Sequence, residues 1–256
     1  MHGEVNFGIG SFNYKKIGAT LSGGNDFIRL LVSASYESSD QYEDGNGDTI
    51  AEQIDNYAAT NPAAAGTKYK SEYHDMEAYK KKSIMTKAFV TITDNQELRL
   101  SYTANRSDGI LYGNSKMDAL YDDSNIYSIE YNINNLTDKY KNLNIQYYAS
   151  DVDHPMSTKY RMSSNMAAMD NTSHLRTDMR GIKLKNSCIL DNCKLLVGLD
   201  ASERKWDGDY YRTGTGLPIV AGTLKSIDDA VTENAAVCAK IEKTFGTNNL
   251  ARKSGV

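Results

Sequence analysis

The chain has 256 residues and a net charge of −4 at pH 7, and no shift in composition marks a linker, so a single domain is expected. Basic and acidic residues are interspersed instead of forming a stripe, which excludes nucleic acid as an expected partner. A hydrophobic fraction of 40% and a mean hydropathy of −0.56 exclude a helical membrane protein, but not a β-barrel, in which only alternate strand residues face lipid.

Period-two alternation is the dominant signal. Val5, Phe7 and Ile9 oppose Glu4, Asn6 and Gly8, and a second run places Ile17, Ala19 and Leu21 against Lys16, Gly18 and Thr20. Gly23-Gly24-Asn25-Asp26 is a tight-turn sequence. The third run has Ile28, Leu30, Val32, Ala34 and Tyr36 on one face. A polar segment from about Ser38 to Lys82 reads as a long loop. Strands resume at Ala88, Val90 and Ile92, turn at residues 93–96, and return through Leu98, Leu100, Tyr102 and Ala104.

A loop is expected from about Asn105 to Ser124, then a strand through Tyr127, Ile129, Tyr131 and Ile133, a turn, and a strand through Leu143, Ile145, Tyr147 and Ala149. Another loop is expected from about Asp151 to Ser173, before Ile182 and Leu184, the turn Asp191-Asn192, and the run Leu195, Val197, Leu199 and Ala201. A last loop is expected up to Val231, followed by Val237, Ala239 and Ile241.

Short turns on one side and long loops on the other, between strands of about eight to twelve residues, are the signature of an all-β, antiparallel transmembrane β-barrel of the bacterial outer membrane. A soluble β-sandwich is the alternative, with shorter strands and loops of similar length at both ends. About ten strands are expected over residues 1–245, forming a partial barrel that is open or imperfectly closed. Residues 246–256 lose the alternation and read as an aberrant or truncated tail. The N-terminus carries no secretory signal pattern, which suggests a truncated sequence.

Chemical motifs are sparse. Three cysteines make no disulfide framework; Cys188 and Cys193 flank a turn, where a cross-strand bridge is one alternative, and Cys238 has no evident partner. The absence of a nucleophile elbow, a zinc-protease helix motif and a phosphate loop argues against an enzyme. Asp44-Gly45-Asn46-Gly47-Asp48, with Asp55 at the twelfth place, has a calcium-loop spacing, but Thr49 replaces the turn glycine and a solvated loop is the alternative.

The opening stretch His2-Gly3-Glu4-Val5-Asn6-Phe7-Gly8-Ile9-Gly10-Ser11-Phe12 resembles the first barrel strand of TonB-dependent outer-membrane receptors. The run Ser226 to Glu242 is similar to a strand by which these receptors re-enter the membrane from a loop. Gly109-Ile110-Leu111-Tyr112, Met117-Asp118-Ala119 and Asp151-Val152-Asp153-His154-Pro155-Met156 are similar to their metal- and copper-receptor branch. The resemblance implies roughly the first half of a 22-stranded barrel whose plug domain and later strands lie outside this chain. It further implies uptake of a metal chelate, a ferric siderophore or copper, energised by TonB through the plug, with outer-membrane lipid as surroundings and no cofactor required. A passive outer-membrane porin is the alternative.

His154 and Met156 are the candidate metal residues. Two positions apart on an extended segment, their imidazole and thioether share one face and suit a soft metal such as copper; the alternative is a pair of ordinary loop residues beside a proline. In the copper branch a similar His-x-Met pairs with ligands from the plug. Met156, Met162, Met166 and Met169, with His174 nearby, form a Met-rich tract that suits Cu(I) or serves as flexible apolar filler.

Overall fold

Alternation broken by turn chemistry folds the chain into one antiparallel meander. The computed structural model describes residues 1–166, 168–191, 193–219, 224–245 and 248–255, with the backbone path alone for 244–245 and 248–255. The strands are β1 (His2–Ile9), β2 (Lys15–Gly24), β3 (Ile28–Ser39), β4 (Tyr79–Thr93), β5 (Gln96–Ile110), β6 (Asp118–Asn134), β7 (Tyr140–Ser157), β8 (Asn171–Leu190), β9 (Cys193–Arg212), β10 (Leu224–Phe245) and β11 (Asn248–Gly255). Each pairs with the next in an 11-stranded sheet. Among the described residues no ladder joins β1 to β10 or β11, so the sheet is open.

The register carries one apolar face across the sheet. Leu30 lies opposite Ala88, Ala88 opposite Leu100, Leu100 opposite Ile129, Ile129 opposite Tyr147, and Tyr147 opposite Ile182. Leu30, Leu100, Ile129, Tyr147 and Ile182 are all exposed. An apolar, continuous face of this kind is what hydrocarbon requires of a barrel exterior. The intervening residues build a polar wall: Arg29 donates to Glu97, Arg99 joins Glu97 (2.5 Å) to Glu130 (3.2 Å), and Asn132 and Asn144 donate to Glu130. Higher up the chain Lys183 pairs with Asp200 at 3.0 Å, and Tyr148 donates to the same carboxylate across Gly181. This wall faces the lumen.

The turns at one end are short and chemically set. Asn25 Oδ1 accepts from the backbone N–H groups of Phe27 and Ile28, and Asn135 and Asp191 take left-handed backbone conformations with φ of 51°, which Asn and Asp tolerate best after Gly. Asn192, the second residue of the expected turn, lies outside the described residues, as do 220–223 of the expected last loop. So do Gly246, Thr247 and Val256 of the expected aberrant tail, while the backbone of 248–255 pairs with β10.

The loops differ from expectation. β4 to β10 run from 15 to 22 residues, longer than the eight to twelve read from alternation, and the connections at the loop end shrink to 111–117, 158–170 and 213–223. Above the apolar band the outward face turns polar and the inner face is mixed, so the ladder continues after the period-two signal has gone. The segment from Asp151 to Ser157 is therefore strand, not loop. Only the connection over 40–78 is long, and it folds on itself through helix α1 (Ile50–Thr60) and 3-10 turns at Pro62–Thr67 and Ser71–Tyr73. Cys188 and Cys193 remain free thiols on the apolar face, and Cys238 is also free, opposite Gly198.

Candidate functional site

The site is built on the upper part of β7, where the strand still alternates but no longer faces hydrocarbon. His154 pairs in register with Leu175, and Met156 with Ser173 and Ala119. Counting from Tyr147 and Ala149 on the apolar face, both side chains point into the lumen, while Pro155 between them is fully buried on the opposite side. The structure therefore brings His154 and Met156 together on one wall. His174, opposite Pro155, points outward and bonds Asp153, so it does not join them.

His154 has two neighbours from other elements. Its Nδ1 lies 3.5 Å from Asp122 Oδ2 of β6, and the Tyr112 ring meets it edge-on at 6.3 Å between centroids. A carboxylate behind one ring nitrogen fixes the tautomer and directs the other toward a ligand. The imidazole is about four-fifths covered, with 22% of the side chain exposed.

Tyr112 is itself held by a buried ion pair. Arg161 and Asp118 are both 0% exposed, and the guanidinium meets the carboxylate through Nε (2.5 Å) and Nη2 (2.6 Å). Asp118 Oδ1 accepts from the Tyr112 backbone N–H at 2.8 Å, and Arg161 donates to the Tyr112 carbonyl at 3.1 Å and the Thr67 carbonyl at 2.8 Å. Tyr69 donates to Asp118 and lies under the guanidinium, 3.8 Å from its centre. Burial pushes the Tyr69 hydroxyl well above its ordinary pKa, and the adjacent Asp118 charge adds to the shift. Two charges out of water are tolerated because the donors and both carboxylate oxygens have partners.

The same pair anchors the roof. α1 begins with a capping box, Thr49 accepting from the Glu52 N–H and Glu52 from the Thr49 N–H. Its buried face of Ile50, Ala51 and Ile54 packs on Tyr69, Leu111 and Tyr160. Buried Gln41 ties the helix to the following segment, accepting from Ala51 N–H and donating to the His74 and Met76 carbonyls. Below the roof, Ser157, Thr172 and Thr213 share a hydroxyl network that fixes the end of β7 beside Met156.

The other sequence candidates fall elsewhere. Met162, Met166 and Met169 are exposed at the loop tip over 158–170, away from the lumen pair. Asp44 accepts from the backbone N–H groups of Asn46 and Asp48, which hold its carboxyl below the usual range. Asp55 instead faces Lys68 (3.3 Å) and His74 (3.4 Å), so the calcium-like residues do not converge. Sequence reading missed Asp122 and Arg161, and it named Tyr112 and Asp118 only within segments of family resemblance, because no spacing rule connects residues that register and loop packing bring together.

An imidazole nitrogen and a thioether on one wall could supply two donors of mixed softness, of a kind that suits copper and short of a full coordination set. Among solved structures, the chain is similar to the copper transporter OprC, with a TM-score of 0.73 and 18% identity, covering 94% of this chain and 34% of that one. It is similar to the FrpB iron transporter from Neisseria meningitidis (F3-3 variant), at TM-score 0.60 and 14% identity over 96% of this chain and 45% of that one. It is also similar to the siderophore receptor PiuA from Acinetobacter baumannii, at 0.51 and 12% over 94% and 39%. The chain thus spans between a third and a half of the length of these proteins and shares the fold of their barrels. No protein-family model matches the sequence, and no curated protein does.

Proposed function

We propose that this chain is a sector of a TonB-dependent outer-membrane receptor that takes up a metal, with His154 and Met156 as the barrel's share of a copper-capturing site. One observation carries the reading: the imidazole and thioether stand on one lumen wall with Asp122 behind the ring. A copper transporter, an iron transporter and a siderophore receptor are among the structures the barrel resembles, and a thioether beside an imidazole favours copper over a ferric siderophore. In the full-length protein TonB energises uptake through the plug domain.

Uptake of copper and of a ferric siderophore by cells carrying the full-length protein tests this. Copper uptake is expected to depend on the proton gradient and to fall steeply in His154→Ala and Met156→Ala, with Asp122→Asn losing roughly tenfold in metal affinity. Unchanged uptake in both ligand variants would overturn the copper reading. A passive pore is the second reading, favoured by the polar lumen wall from Arg29 to Asn144; uptake that persists after the gradient is collapsed would select it.

A further inference from the structure

The strand beside His154 carries one residue too many. Asp123 of β6 lies opposite Asp153 and Ala119 opposite Met156, so three residues, 120–122, face the two at 154 and 155. Such a bulge re-aims the side chains around it. Asp122 and Ala119, three positions apart, thereby both serve lumen residues, Asp122 beside His154 and Ala119 opposite Met156. β5 is adapted at the same level: Gly109, between the Asp108–Tyr121 and Ile110–Ala119 pairs, takes the left-handed conformation with φ of 60°, and a Cβ there would stand 3.2 Å from Met76 of the roof.

The 3.5 Å between Asp122 and His154 Nδ1 is longer than a directed hydrogen bond, so the carboxylate does not by itself hold the imidazole in one rotamer. The Tyr112 ring supplies the second restraint. It crosses the imidazole at 83° with centroids 6.3 Å apart, the edge-to-face arrangement that aromatic rings prefer. The ring is the part in contact, since the Tyr112 hydroxyl makes no hydrogen bond among the described residues. Tyr112 has little freedom of its own. Its N–H donates to Asp118 and its carbonyl accepts from Arg161, so the buried ion pair grips the peptide groups on both sides of its Cα and aims the side chain. Arg161 also holds the Thr67 carbonyl and covers Tyr69, which makes the grip depend on the docked roof.

We propose that Tyr112 is a positioning residue of the copper site: it holds the His154 imidazole beside Asp122 with Nε2 toward the lumen, and the Arg161–Asp118 pair acts on the metal through it. A ligand already in its binding rotamer loses less conformational freedom when the metal arrives. The inference rests on the reading of His154 and Met156 as copper ligands. It adds that the affinity of that pair is set from the roof, by a residue that does not touch the metal.

The test is the cuprous-ion affinity of the full-length protein in detergent, with Cys188, Cys193 and Cys238 replaced by serine, read by competition with bicinchoninate. Tyr112→Ala is expected to weaken binding roughly tenfold, with hydrogen exchange over 40–78 as in the parent protein, because the ion pair bonds only the backbone of residue 112. Tyr112→Phe is expected to keep the parent affinity, because it keeps the ring. Arg161→Ala added to Tyr112→Ala should cost no further affinity, as two changes along one line of action do not add. Parent affinity in Tyr112→Ala, equal losses in the Ala and Phe variants, or a loss accompanied by faster exchange over 40–78 would overturn the positioning role while leaving the copper reading intact. A further loss on adding Arg161→Ala would overturn the claim that the ion pair acts through Tyr112. Parent affinity in His154→Ala would overturn the copper reading and this inference with it.

Discussion

The lower and upper halves of the long strands use the same ladder for different surroundings. Between Leu143 and Ala149, β7 alternates between an apolar exterior and a polar lumen. Between Asp151 and Ser157 the same strand keeps its pairing with β8 but carries Asp151, Asp153 and Pro155 outside and Val152, His154 and Met156 inside. Alternation therefore reports where one face meets hydrocarbon, not where a strand ends. Above that level the backbone is held by a roof that is built like a small soluble domain.

That contrast can be broken at the roof with the largest effect. Arg161→Ala leaves the buried Asp118 carboxylate without its counter-charge, which should cost about 3–5 kcal/mol, read as increased hydrogen exchange and proteolysis over 40–78 with the exchange of the apolar band unchanged. Loss of protection throughout the sheet would show that the two halves are one cooperative unit. A test of the lower half is Gly181→Val. A Cβ at 181 would stand 2.4 Å from the Tyr148 ring, so about 1–3 kcal/mol of strain is expected, measured as a lower unfolding temperature in detergent with the roof's protection retained.

Smaller changes sharpen the comparison. Thr49→Ala removes the α1 cap and should cost about 1 kcal/mol, confined to exchange of the first turn of α1. His74 ties the segment after the second 3-10 turn to the helix through Asp55 (3.4 Å), with its other ring nitrogen on the neighbouring Asp75 (2.9 Å). The hydrogen bond to Asp75 comes first and the Asp55 charge adds to it; together they raise the His74 pKa above 6.5 against the opposing effect of burial. The clasp is therefore fully present below 6.5 and is lost as pH rises through the raised value. Exchange of 68–76 should quicken over that window in the wild type and lose its pH dependence in His74→Gln.

Much of the lower half was legible in the sequence. The shared face of Leu30, Ala88, Leu100 and Ile129 follows from alternation, and the pairing of Ala88 with Leu100 from the short turn between β4 and β5, whereas the Leu30–Ala88 and Leu100–Ile129 pairings cross the loop-end connections 40–78 and 111–117; the co-facial placement of His154 and Met156 follows from their spacing on an extended segment. The upper half was not legible as strand, because residues such as Asp122, Asp123, Asp151 and Asp153 read as loop once no apolar face alternates with a polar one. That misreading set His154 and Met156 in a loop, where the structure has them in β7. Asp122 and the Arg161–Asp118 pair were invisible for a different reason: their partners are distant in sequence, and only register and loop packing bring them together.

The most direct test is a spin-label scan along β7, from 143 to 157, in the full-length protein in bilayers with Cys188, Cys193 and Cys238 replaced. From 143 to 149, labels at odd positions should be accessible to lipid-dissolved oxygen and those at even positions to a water-soluble nickel relaxer. From 151 upward that contrast should vanish, and added copper should broaden the signals nearest His154 and Met156. Oxygen accessibility alternating unchanged through 157, or no alternation below 150, would contradict the account.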